Sequence, residues 1–239
     1  MTYGSRSTPT AVERWLEDRL PGYRFGAVLV LLLITFVFTA CGLEGSWARV
    51  VNVFLTGLTL LAALLASRTG RRLFRVAALV VFVALVGAIG ATAGPVDNPG
   101  DGLILLNLLL VAAAPVVIAR ALWKRQIVDV NTVLGAICIY VLIGMFFSFL
   151  YTFIGAVGDV PFFAQTNTPT IADFLYFSFI TLCTVGYGDF TPAQGLGRSL
   201  ASSEGLVGQL YLVTIVAVVV SRMARVDKTQ PSDESPGTP

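Results

Sequence analysis

The chain has 239 residues, of which 56% are hydrophobic and 13% are charged. An average soluble domain is about 45–50% apolar and 25% charged, so this composition excludes a soluble globular protein. The sequence contains no histidine, which excludes imidazole-based metal sites and histidine-dependent catalysis, and its net charge of +2 does not indicate a nucleic-acid partner. Cys41, Cys138 and Cys183 lie in or beside apolar runs without a C-x-x-C spacing, which predicts buried thiols and no disulfide. We therefore expect a membrane protein that is not an enzyme.

The two ends of the chain differ from the apolar middle. Thr10 and Glu13 have the spacing of a capping box, and the apolar residues that follow them share one helical face. This pattern predicts a short interfacial helix. The last segment, 228–239, is rich in Pro, Ser, Thr, Asp and Gly and is expected to be disordered.

Six apolar runs are candidates to cross a bilayer, whose hydrocarbon core of about 30 Å requires roughly 17 to 25 residues per helix. The sixth run is interrupted by Glu204 and two glycines but ends in a long aliphatic stretch. Between the fifth and sixth runs lies a shorter apolar segment, 171–183, which is typical of a re-entrant helix. The six predicted spans are 25–41, 50–66, 76–92, 103–119, 133–154 and 200–221.

The distribution of basic residues predicts the orientation of these spans. With the N-terminus inside, 14 of the 16 lysines and arginines fall on the cytoplasmic side, and only Arg49 and Arg198 lie outside. Both termini are therefore expected in the cytoplasm. The predicted fold is an all-α integral membrane protein, with six transmembrane helices and a re-entrant pore helix and filter loop between helices 5 and 6. Its predicted parts are a cytoplasmic segment (1–24), a four-helix peripheral domain (25–122), a pore domain (123–227) and a tail (228–239).

The re-entrant segment carries the motif on which the functional hypothesis depends. Thr170 and Asp173 have capping-box spacing for a short helix, and the chain then continues as T-V-G-Y-G-D from Thr184 to Asp189. A helix that ends at mid-membrane directs its carbonyl end, with about half a negative charge, into the bilayer interior and favours a cation there. Glycines at alternate positions tolerate backbone angles that turn successive carbonyls to one side. Such carbonyls could replace the water around a dehydrated potassium ion.

At these residues the sequence resembles the potassium channel family, whose selectivity filters have this T-V-G-Y-G loop. The resemblance covers roughly 132–225. It implies that the backbone carbonyls of the filter bind K⁺, with the Thr184 hydroxyl completing the innermost site, and that Asp189 lies at the outer mouth. It also implies a homotetramer, so the partners would be three identical subunits, in the plasma membrane, with no cofactor besides permeant K⁺. The filter residues are Thr184, Val185, Gly186, Tyr187 and Gly188.

The sixth span resembles the inner helix of prokaryotic channels with one pore per chain. The family pattern places the hinge at Gly208, although close helix packing is an equal explanation for this glycine. The same pattern predicts that one stripe of the helix lines the cavity, formed by Gln209, Leu212, Val216 and Val220.

Glu204 is the one ionisable residue within a span that orientation does not explain. It lies about 140° around the helix from Gln209, so we expect it to face the pore helix or the fifth span, with Ser178 and Thr181 as partners. An interfacial acid near the outer end of the helix is the alternative. A second contact is expected between Asp189 and Tyr176 of the pore helix.

The fourth span, 103–119, occupies the place of a voltage-sensing helix but contains no lysine or arginine. This absence predicts a channel whose opening is weakly voltage-dependent. Two alternatives remain open: a poorly selective cation channel on the same scaffold, and a secondary transporter, which would require paired broken helices from an internal repeat.

Overall fold

The computed structural model describes residues 24–43, 45–67, 71–93, 101–123 and 130–227. The predicted interfacial helix and the predicted disordered tail lie outside these ranges. Within them the chain is helical, with one isolated bridge between Phe163 and Pro192 and no strand, which confirms the all-α fold class. The helices are α1 (Arg24–Ala40), α2 (Ser46–Ala66), α3 (Arg71–Ala93), α4 (Asp101–Trp123), α5 (Val130–Val157), α6 (Ile171–Leu182) and α7 (Gly195–Asp227).

The six apolar runs correspond to α1–α5 and α7, and the short apolar segment corresponds to α6. The largest difference from the prediction is α7, which has 33 residues and extends beyond both ends of the predicted span. Only the hydrocarbon depth of a bilayer demands apolar side chains, so a transmembrane helix can continue past it with polar ones. Judged by length and hydropathy, two described segments are fit to cross a membrane, Trp47–Ala66 and Thr132–Val157, while the apolar parts of α1, α3 and α4 are shorter.

One apolar core joins the first five helices. Phe25, Val28 and Leu32 of α1 are almost fully buried and belong to the same cluster as Leu142 and Met145 of α5. Helices α1 and α4 thus pack against α5 of their own chain. Leu175 of α6 belongs to the same cluster, so the peripheral helices and the pore helix share one core.

A line of neutral polar side chains is buried between α1 and α2. Asn52 donates through Nδ2 to Thr39 Oγ1 at 2.7 Å, and the hydroxyls of Thr35 and Thr59 lie 3.4 Å apart. The Thr39 hydroxyl also donates to the Thr35 carbonyl at 2.8 Å. These bonds satisfy groups that would be costly to bury alone, and they involve no charge.

The contact between α2 and α3 depends on Gly57. A Cβ atom at this position would lie 2.5 Å from Cγ1 of Val81, closer than atoms can pack. The absence of a side chain therefore lets the two helices approach each other.

We predict that Gly57→Ala destabilises the fold by about 1–3 kcal/mol, because the new methyl group overpacks the contact with the stiff Val81 side chain. Thermal unfolding of the detergent-solubilised protein measures the effect. Gly90→Ala on α3 is the matched control, since nothing lies within 4 Å of its Cβ position. Adding Val81→Ala should recover part of the loss in Gly57→Ala. Equal stability of the two alanine variants would contradict the packing argument.

Candidate functional site: the filter loop and its supports

The pore helix α6 begins with the predicted capping box. The Thr170 side chain accepts a hydrogen bond from the Asp173 N–H at 3.3 Å, and the Asp173 carboxylate accepts from the Thr170 N–H at 2.7 Å. Its last residue is Leu182, after which the chain turns into the filter loop. The predicted spacing is confirmed, and it fixes where the helix starts and hence how far it reaches.

The filter loop has an alternating backbone conformation. Thr184, Gly186 and Gly188 have φ values of 58°, 53° and 80°, in the left-handed region, whereas Val185 and Tyr187 do not. Alternation of left- and right-handed residues turns successive carbonyls to the same side of the chain. The sequence predicts this conformation at the glycines but not at Thr184, because a β-branched residue disfavours a positive φ.

The donors of this loop bond to the end of the pore helix. The N–H groups of Val185 and Gly186 both donate to the Ile180 carbonyl, at 2.8 and 3.1 Å, and the Thr184 N–H donates to the Thr181 carbonyl at 3.0 Å. Within the described ranges, no hydrogen bond uses the carbonyl of a filter residue from 184 to 187 as its acceptor. The result is a row of free oxygens, which is what a dehydrated cation requires.

The outer end of the loop is tied to the pore helix by the expected contact. The Tyr176 hydroxyl donates to Asp189 Oδ2 at 2.8 Å, and the Phe190 N–H donates to Asp189 Oδ1 at 3.1 Å. The carboxylate thus spans from the helix to the residue that follows the filter.

An aromatic cluster, which the sequence analysis did not identify, surrounds the back of the pore helix. Its rings are in direct contact: the ring centroids of Phe163 and Phe177 are 5.2 Å apart, and those of Tyr151 and Phe177 are 5.3 Å apart. Each such contact adds about 0.5–1.5 kcal/mol beyond area burial. The buried members are Phe147, Tyr151, Phe162, Phe163, Phe174 and Phe177.

The loop before the pore helix pairs with the segment after the filter. The Ala164 N–H donates to the Thr191 carbonyl at 2.9 Å, and the Ala193 N–H donates to the Phe162 carbonyl at 2.8 Å. Gln165 accepts from the Thr191 N–H at 2.9 Å and donates to its hydroxyl at 2.7 Å. These bonds fix both ends of the re-entrant segment to each other.

Glu204 of α7 is fully buried and faces both the pore helix and α5. Ser178 Oγ lies 2.5 Å from Oε1, and the Tyr151 hydroxyl donates to Oε2 at 2.6 Å. Ser178 Oγ also lies 2.7 Å from the Gly144 carbonyl of α5. Ser178 is one of the two partners expected from the sequence, and Tyr151 takes the place of Thr181. The carboxyl group therefore links three helices behind the filter.

The inner end of the site contains Gly208 and Gln209. A Cβ atom on Gly208 would lie 2.7 Å from the Leu182 carbonyl oxygen, so the absence of a side chain lets α7 pack closely against the end of the pore helix. Gln209 and Leu212 are exposed in the single chain, and the Gln209 amide donates to the Thr184 hydroxyl at 3.2 Å. The side chains of Val216 and Val220, predicted to line the cavity, lie outside the described part of the structure.

The three cysteines are free, but the prediction that they are buried holds only for Cys138, since Cys41 and Cys183 are exposed in the single chain. No group of three acidic or cysteine side chains that could hold a metal ion occurs in the described ranges.

A helix that ends in a loop of free carbonyls, held between two long helices, is the arrangement of a pore loop. Residues 135–225 match the model of an ion channel family. The relatives of the chain include the two pore potassium channel c of Oryza sativa subsp. japonica, 39% identical over 61 residues, or 25% of this chain and 13% of that protein. A second, protein LctB of Bacillus caldotenax, is 36% identical over 80 residues, or 31% of this chain and 59% of that protein. A third, named "Probable potassium channel protein 2", from Methanocaldococcus jannaschii, is 50% identical over 46 residues, or 18% of this chain and 13% of that protein.

These matches confirm the resemblance to the potassium channel family. The chain spans less than two thirds of the length of each of these relatives. No solved structure matches the chain significantly.

We predict a graded loss of stability at Glu204. Glu204→Gln replaces one of two acceptor oxygens and should weaken the link. Glu204→Leu removes both and leaves the buried Tyr151 hydroxyl without this partner, at about 1–3 kcal/mol, while the Ser178 hydroxyl keeps the Gly144 carbonyl. Single-channel conductance should change little, because the side chain faces away from Gln209 and the cavity.

Thermal stability of the assembled protein and single-channel recording in bilayers measure the two quantities. Ser203→Ala is the matched control on α7, since that exposed hydroxyl bonds only to the Ser199 carbonyl, at 2.8 Å. A large fall in conductance with unchanged stability would instead place Glu204 in the ion path.

Proposed function

We propose that the chain forms a potassium-selective channel, in which K⁺ moves passively through a pore lined by the carbonyls of Thr184, Val185, Gly186 and Tyr187. The observation that carries the proposal is the alternating backbone of this loop, with its donors bonded to the pore helix and its carbonyls free. Oxygens held in this way replace the hydration shell of an ion. The names of the potassium channel relatives support the same conclusion.

The proposed assembly is a homotetramer, because one filter loop cannot enclose an ion. In the single chain the filter is uncovered: Tyr187 is 73% exposed and Val185 is 51% exposed. Apolar cavities flank the loop on both sides, one of about 380 Å³ beside Val185 and Tyr187 and one of about 510 Å³ beside Gly186 and Gly188. Neighbouring copies would fill these cavities, and the proposed partners are therefore three identical subunits.

The proposed topology has six spans, α1–α5 and α7, in the plasma membrane with both termini in the cytoplasm. The excess of basic residues on one side supports the orientation, with 14 of 16 placed inside. In this orientation the glycine-rich filter and Asp189 at the outer mouth face the exterior. The proposal includes no catalysis and no cofactor besides permeant K⁺, in keeping with the match to an ion channel family.

The test of this function is the reversal potential of the purified protein in bilayers under opposed K⁺ and Na⁺ gradients. A value near the K⁺ equilibrium potential is expected. A value near zero would favour a poorly selective cation channel, and a flux that requires a co-transported ion would favour a secondary transporter.

We predict that Gly186→Ala abolishes selective conduction. Alanine at a φ of 53° costs about 1–2 kcal/mol in each subunit, and four subunits bear it together, so the carbonyl row turns out of line. Gly195→Ala is the matched control, because this glycine lies outside the filter, has no positive φ and has nothing within 4 Å of its Cβ position. Selectivity equal to that of the unmodified channel in Gly186→Ala would contradict the proposed filter.

We also predict that opening is weakly voltage-dependent. Moving one elementary charge through the field contributes about 2.3 kcal/mol per 100 mV, and steep gating uses roughly three or four charges per subunit. The basic residue described in α4 is Arg120 in its last turn, and the buried polar residues between α1 and α2 are uncharged.

Open probability recorded from about −100 to +100 mV in symmetric K⁺, with gating currents measured while the pore is blocked, tests this prediction. Residual dependence should vary with the species and concentration of the permeant ion, since it would come from ions entering the filter. Steep activation with a gating charge of several units would show that the peripheral helices do sense voltage.

A further inference from the structure

The amide of Gln209 reaches the base of the filter. Its Nε2 donates to the hydroxyl of Thr184 at 3.2 Å, a contact between residues of α7 and of the filter loop. Both side chains are exposed in the single chain, on the side where the proposed pore axis runs. The predicted role of Gln209 as one member of a cavity stripe does not account for this bond.

Three neighbouring contacts hold the amide at this height. Because Gly208 has no side chain, α7 can pack closely against the Leu182 carbonyl at the end of the pore helix. Two residues further on, the Tyr211 hydroxyl donates to the Ala136 carbonyl of α5 at 2.7 Å and so fixes the rotation of α7 about its axis. The ring of Tyr211 also stacks on that of Tyr140, with centroids 6.0 Å apart. Gln209 is therefore placed beneath Thr184 by packing rather than by its own flexibility.

The bond has a direction that matters for a cation. The Thr184 oxygen carries one hydrogen and two lone pairs, and the amide N–H occupies one lone pair. The hydroxyl hydrogen then points away from the donor, and the second lone pair is left for another ligand. Without the amide, the hydroxyl can rotate and present its hydrogen to the ion position, where it would repel a cation. Within the described ranges the amide oxygen of Gln209 has no hydrogen-bond partner, so it adds a further acceptor at the entrance.

We propose that Gln209 is a positioning residue that sets the affinity of the innermost cation site, by holding the Thr184 hydroxyl with a lone pair toward the ion. This inference rests on the proposed function. It goes further by assigning the strength of one ion site to a residue outside the filter motif.

The probe is Ba²⁺ applied from the cytoplasmic side, because this ion has nearly the radius of K⁺ and twice its charge and therefore blocks at an oxygen site that fits K⁺. Gln209→Leu should weaken block by at least about three- to tenfold, the range expected for the loss of one hydrogen bond, because each of the four proposed subunits loses one. Gln209→Asn keeps the amide but is one methylene too short to reach Thr184, so it should behave like Gln209→Leu. Leu210→Ala is the control for side-chain loss on α7, since this residue points about 100° away.

A double-mutant cycle separates the bond from general cavity polarity. Thr184→Val removes the hydroxyl at constant shape, and in that background Gln209→Leu should change block by less than about twofold. Unchanged block in Gln209→Leu and Gln209→Asn, or an equal additional loss in the Thr184→Val background, would overturn the inference. The reversal potential of the unmodified channel is read in the same recordings. A non-selective current there would contradict the proposed function, while Ba²⁺ block of that current would still decide the role of Gln209.

Discussion

The Ile180 carbonyl accepts two hydrogen bonds, from the N–H groups of Val185 and Gly186, and the rest of the site depends on this interaction. A filter backbone must leave its oxygens free for the ion, yet buried N–H groups cannot be left without partners. The last turn of the pore helix meets both requirements. Its carbonyls receive no hydrogen bond from within the helix, so they can accept hydrogen bonds from the N–H groups of the filter. The position of the filter is therefore set by the position of α6, and any displacement of this helix moves the ion-binding oxygens with it.

The supports of α6 follow from this dependence. Its start is fixed by Thr170 and Asp173, its outer face by the bond from Tyr176 to Asp189, and its back by Glu204 and the aromatic cluster. Gly144 and Gly208 let α5 and α7 approach it from two sides. A twelve-residue helix is marginal by itself, so its rigidity has to come from these contacts with its neighbours.

The sequence predicted those features that depend on local pattern. The apolar runs predicted the helices, and the spacing of Thr170 and Asp173 predicted where the pore helix begins. Helical geometry predicted the side of α7 on which Glu204 lies. Features that depend on distant residues were not predictable. Tyr151 meets Glu204 across 53 positions of sequence, and the rings of the aromatic cluster come from α5, α6 and the loop between them. Thr184 adopts a positive φ against its own preference, because the surrounding bonds over-determine it.

The peripheral helices contact the pore through packing. The ring of Phe36 on α1 lies 4.7 Å from that of Phe179 on the pore helix, and the Cys138 thiol of α5 donates to the Phe25 carbonyl at 3.7 Å. Buried groups between α1 and α2 are neutral, so the membrane field exerts little force on them. Phe179 lies one residue before Ile180, whose carbonyl holds the filter donors. A shift of α1 would therefore reach the filter along a path of only two adjacent residues, and it would do so by steric contact rather than by movement of charge.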